Sequence, residues 1–101
     1  MIPAIEEHRA ELVELCRRHH VVRLSLFGSA TRDDFDPGRS DLDFLVDFVA
    51  PPGKYADAFF GLLESLEQLF GRPVDLVVAS AISNPCFRQS VDQTRTLLYA
   101  A

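Results

Sequence analysis

The segment from Tyr55 to Phe70 narrows the fold more than any other. Tyr55, Ala58, Phe59, Leu62, Leu63, Leu66, Leu69 and Phe70 recur at three- and four-residue spacing, which is the pattern of a helix with one broad apolar stripe. Pro51-Pro52-Gly53 breaks the chain before it, and Gly71 with Pro73 supplies a stop signal after it. Such a stripe needs a second layer to cover it, and the flanking segments read as strands. On the N-terminal side, Leu42, Phe44, Val46 and Phe48 alternate with Asp41, Asp43, Leu45 and Asp47. A strand there presents one apolar face and one accessible face carrying acids. On the C-terminal side, Val74 to Ala79 reads as a buried strand with a single acid, Asp75, inside it.

The other elements follow the same rules. Pro3 suits a first helical turn, and Ile5, Leu12 and Cys16 share one stripe, so residues 3–19 are expected to form a helix. Val21 to Phe27 is short, β-branched at its start and alternating, which predicts a strand ending at Gly28-Ser29. The Asp-, Pro- and Gly-containing stretch that follows reads as a loop. Asn84-Pro85 is an N-cap and first-turn pair opening a short helix to about Gln93, followed by an apolar tail from Leu97 to Tyr99. The order predicts a single α/β (α+β) domain over residues 1–101, with helices on a small three- or four-stranded sheet. The loop before the second strand is too short for a crossover helix, so the sheet should be mixed rather than wholly parallel.

Charge bears on partners. Fifteen Asp and Glu stand against ten Lys and Arg, a formal net charge of -5, which argues against DNA binding as a main task. Nine of the acids are Asp, and six of those lie between Asp33 and Asp47. That is a local concentration suited to divalent cations rather than an even solvating coat. The N-terminus lacks a basic leader with an apolar run, and no stretch approaches ~18 consecutive apolar residues, so a cytoplasmic protein without a membrane span is expected. Cys16 and Cys86 are expected to be small buried hydrophobes rather than a disulfide.

Three features carry chemistry: Gly28-Ser29 at a strand end, Asp41-Leu42-Asp43 opening the next strand, and Asp75 within a third. Strand residues two apart project to the same side, roughly 7 Å apart, from where two carboxylates can converge on a metal. Carboxylates suit Mg2+, which prefers oxygen ligands and keeps waters and substrate phosphates in its shell. A Gly-Ser turn offers close backbone approach and N–H donors to an anion. Each feature alone has a plain reading, as the solvated face of an edge strand or a helix cap; their combination is the signal. Arg32 and Arg39 flank the site and could meet phosphates or the adjacent Asp33, Asp34 and Asp36, and Arg88 is open in the same way. His8, His19 and His20 have no metal-ligand spacing, and Lys54, the one lysine, lacks the glycines of a Walker A motif.

The run LFGSATRDDFDPGRSDLDFLVDF, with GRPVDLV and NPCFRQSV after it, resembles the minimal nucleotidyltransferases of the DNA polymerase beta-like superfamily over essentially the whole chain. The resemblance implies a nucleotidyltransferase fold and a Mg2+-dependent enzyme, with two ions, that uses ATP. It implies that Gly28 and Ser29 hold the nucleotide's outer phosphates, beside which Arg32 is expected as a further phosphate contact from its place in the chain; that Asp41, Asp43 and Asp75 hold metal; and that Asp75 also helps deprotonate the attacking hydroxyl. It further implies an antitoxin that transfers AMP to a tyrosine of a helical HEPN-type toxin. An antitoxin that merely occludes its partner is the alternative, and self-association stays open.

Overall fold

The computed structural model describes residues 3–28 and 42–101. Four strands, β1 (Val21–Phe27), β2 (Leu42–Phe48), β3 (Val74–Val78) and β4 (Thr96–Ala100), form one sheet in the order β3-β2-β1-β4. β1 runs antiparallel to both β2 and β4, whereas β2 and β3 are parallel. The sheet is therefore mixed, as expected. The one parallel pair is the one joined through a helix, α3 (Tyr55–Phe70), because parallel neighbours need a crossover. Gly71 closes α3 in the left-handed conformation (φ 64°), with its N–H on the Glu67 carbonyl at 2.9 Å.

Strand alternation divides the apolar residues between two layers. Leu24, Leu26, Leu42, Phe44, Val46 and Leu76 lie on one side with Ile5, Leu12 and Cys16 of the N-terminal helices and Leu62 and Leu66 of α3. On the other side Phe27 and Leu45 pack with Val91 of α4 (Pro85–Thr94). The expected Asn84 cap is formed: its Oδ1 accepts from the N–H groups of Cys86 (2.9 Å) and Phe87 (3.2 Å).

Four local readings change. The N-terminal helix is two helices, α1 (Pro3–Glu7) and α2 (Arg9–Arg18), separated at His8 (φ -108°, ψ 20°). The His8 carbonyl still accepts from Leu12 N–H at 2.9 Å, while its ring is held by Glu11 (2.7 Å) and by the edge of Phe70. The buried stripe of Ile5, Leu12 and Cys16 survives the break. Cys86 is exposed rather than buried, since it lies about 140° around α4 from Val91, the one residue this helix buries. β3 is not a wholly buried strand: it is an edge, Leu76 is its one buried residue, and Asp75 faces solvent. The apolar tail from Leu97 to Tyr99 is β4, paired with β1.

Candidate active site

The sheet register assembles the site. Asp43, at the start of β2, pairs with Phe27 on one side and with Asp75 on the other. Paired residues in a sheet project to the same face, so both carboxylates stand on the α4 side, with Phe27 and Leu45. Adjacent strands are about 4.8 Å apart, which makes Asp43 and Asp75 close neighbours. Two like charges at such a separation repel by on the order of 1 kcal/mol even in water. Asp43 is half-buried, and Asp75 is exposed without an ion pair among the described residues. Two neighbouring carboxylates, with no cation on Asp75 among the described residues, are a donor set that suits a hard divalent ion such as Mg2+.

Gly28 closes the site from β1. Its φ is +76°, in the left-handed region that side chains disfavour, and a Cβ there would lie 2.5 Å from Oδ2 of Asp43. The backbone therefore touches the carboxylate as only glycine allows. The Gly28 N–H donates to Oγ1 of Thr94 at 3.0 Å, a residue that no motif or spacing singles out. Thr94 ends α4, and its hydroxyl is 3.4 Å from the carbonyls of both Ser90 and Val91.

Of the six residues expected in the site, the structure brings together Gly28, Asp43 and Asp75. Ser29, Arg32 and Asp41 lie outside the described residues, as does Arg39. Arg88 is directed elsewhere: its Nη2 donates to the Ala79 carbonyl at 3.0 Å and ties α4 to the turn after β3. His8 and His19 make packing contacts within the fold. His19 caps α2 and lies against Gly61, where a Cβ would be 2.9 Å from its ring. Burial, helped by the charges of Arg18 and His20, holds the His19 pKa below its ordinary value. Burial also pushes the Cys16 thiol up to about 12, well away from reactivity. No described helix is long and apolar enough to cross a membrane.

A mixed sheet thus sets two acids in register beside a left-handed glycine, and comparison with known proteins shows the family to which such a chain belongs. The nucleotidyltransferase domain profile matches residues 6–98. A Methanocaldococcus jannaschii protein named as a candidate protein adenylyltransferase is 34% identical over 89 residues, covering 88% of this chain and 85% of the relative. A solved structure of a candidate minimal nucleotidyltransferase superposes with a TM-score of 0.74 at 33% identity, covering 91% of this chain and 90% of the other. A chain from the complex of a tri-AMPylated Shewanella oneidensis HEPN toxin with its MNT antitoxin shares the fold (TM-score 0.65, 20% identity, 95% and 72% covered). The chain belongs to the nucleotidyltransferase domain family and is a nucleotidyltransferase of the minimal kind.

Proposed function

We propose that this single-domain enzyme transfers AMP from ATP to a tyrosine hydroxyl of a helical HEPN-type toxin and so acts as its antitoxin, with Mg2+ held by Asp41, Asp43 and Asp75. The observation that carries the reading is the in-register pair Asp43 and Asp75, with Gly28 against the Asp43 carboxylate. The relative named for protein adenylylation, and the fold shared with an antitoxin in complex with an AMPylated toxin, support the substrate class.

The acceptor oxygen bonds to the α-phosphorus of ATP as the bond to pyrophosphate breaks. The hydroxyl proton leaves through Asp75, whose exposed carboxylate stands where an incoming partner can reach it. When bound, Mg2+ neutralises charge that builds on the attacking and leaving oxygens. Asp43, fixed between β1 and β3, sets where that charge is met. Ser29 and Arg32 are assigned to the outer phosphates. The chain's other contribution is placement, since the reaction asks the protein to hold two reactants in line.

The test is stoichiometry. Substoichiometric protein with ATP and Mg2+ should leave an excess of the partner AMPylated, as read by intact mass, and inactive after the two are separated. Asp43→Asn and Asp75→Asn should fold and bind the partner but modify none of it. Protection only at one-to-one, lost on separation and equal for wild type and variants, would establish occlusion instead.

A further inference from the structure

We propose that Thr94 is a positioning residue of the transfer site: its hydroxyl anchors the Gly28 backbone against the Asp43 carboxylate. The inference rests on the reading that Gly28, Asp43 and Asp75 carry nucleotidyl transfer. A glycine has no side chain by which a fold can place it, so its amide is the handle. The Gly28 N–H is held at 3.0 Å by Oγ1 of Thr94, a residue 66 positions further along the chain. The helix does not need this bond for itself, because the same hydroxyl already lies within reach of the Ser90 and Val91 carbonyls at 3.4 Å. Donation to either carbonyl fixes the rotor and leaves the oxygen lone pairs for Gly28. Thr94 is also β-branched, which stiffens its χ1.

The anchor is itself secured. Val91, one turn back, is 2% exposed and packs with Phe27 and Leu45, and Phe87 meets the Phe27 ring edge-on at 6.2 Å. Helix α4 therefore grips β1 twice at adjacent residues, by the Phe27 ring and by the Gly28 amide. Between them they fix the backbone at Gly28, where a Cβ would lie 2.5 Å from Oδ2 of Asp43. Without the hydroxyl, Gly28 keeps its freedom to adopt other left- and right-handed conformations, and the carboxylate loses the wall that defines its position. The effect should appear as weaker engagement of metal-bound nucleotide by a protein that is still folded.

The experiment compares the full-length chain with Thr94→Val, which keeps shape and removes the acceptor, and Thr94→Ser, which restores it. Amide hydrogen exchange at Gly28 without nucleotide should be slow in wild type and Thr94→Ser and at least tenfold faster in Thr94→Val. In calorimetric titration with MgATP, Thr94→Val should bind roughly three- to tenfold more weakly, the range one hydrogen bond supports, and Thr94→Ser within about twofold of wild type. A merely structural role would lower the fraction of binding-competent protein but leave the affinity of that fraction unchanged. Unchanged MgATP affinity with a fast-exchanging Gly28 amide overturns the proposal while leaving the reading of the site intact. So does tighter binding by Thr94→Val, since it would mean that Thr94 competes with the nucleotide for the amide. If wild type itself takes up no MgATP, the reading of the site fails and the proposal falls with it.

Discussion

Replacing Gly28 by alanine separates what this glycine does for stability from what it does for the site. An alanine held at φ +76° is strained by about 1–2 kcal/mol, which in a domain of this size lowers Tm by about 4–16 °C. The collision is a different matter. The new Cβ would lie 2.5 Å from Oδ2 of Asp43, where ordinary contact begins at 3.4 Å, so the carboxylate must retreat by about 0.9 Å. Moving the end of a short side chain is cheap in folding energy but not at a reacting centre, where a displacement of about 1 Å costs on the order of a hundredfold in rate. That corresponds to roughly 2.7 kcal/mol of transition-state stabilisation. Gly53 is the matched control: its φ is +81° and nothing lies within 4 Å of where its Cβ would stand. Gly53→Ala should lose similar stability and keep full turnover, whereas Gly28→Ala should transfer labelled nucleotide about a hundredfold more slowly at a temperature where both are folded. If Gly28→Ala works within threefold of wild type, or Gly53→Ala is impaired as severely, the steric account of the site is wrong.

Two further outcomes follow from groups away from the site. Because His19 has a folded-state pKa below its ordinary 6.5, the folded protein resists taking up its proton. The stability this contributes is fully present above about pH 6.5 and is lost as pH falls from there through the folded pKa. Tm measured from about pH 5 to 8 should therefore fall more steeply on the acid side for wild type than for His19→Gln, and equal slopes would remove His19 as the cause. Cys16 is buried with its thiol pushed up to about 12, while Cys86 is exposed. A chromogenic disulfide reagent at pH 8 should titrate one thiol in the native protein and two in denaturant, and none natively in Cys86→Ser; two fast native thiols would contradict the packing of α2.

The fold was legible wherever periodicity met burial. The stripe from Tyr55 to Phe70 reappears as α3 with the same bounds, and the alternation from Asp41 to Phe48 reappears as β2 from Leu42, Asp41 lying outside the described residues, because a residue pattern that buries one face has few ways to do so. The apolar tail from Leu97 to Tyr99 did not announce itself as a strand. Three apolar residues have no period of their own, and β4 exists because β1 has an open edge beside it. His8 interrupts the first helix through contacts with Glu11 and Phe70, the latter on a helix more than fifty residues away and so invisible to local spacing. At the candidate site, residue type singled out Asp43 and Asp75, but their adjacency follows only once the register of β2 and β3 is known. Thr94 was not legible at all. A threonine near the end of a helix is unremarkable until the chain folds Gly28 onto it.

The strand order also dictates a sequence of events in time. β1 is translated early, yet its neighbour β4 and the helix that supplies Thr94 are separated from it by more than fifty residues, and their pairing must close a long loop. Such non-local contacts form late in folding. While a ribosome has made only β1, β2, α3 and β3, both aspartates are present in the growing polypeptide, but the backbone that confines one of them is not yet held. Nucleotide use should therefore switch on only once synthesis has passed through α4 and β4, and nascent chains that stop short of them should turn over no nucleotide.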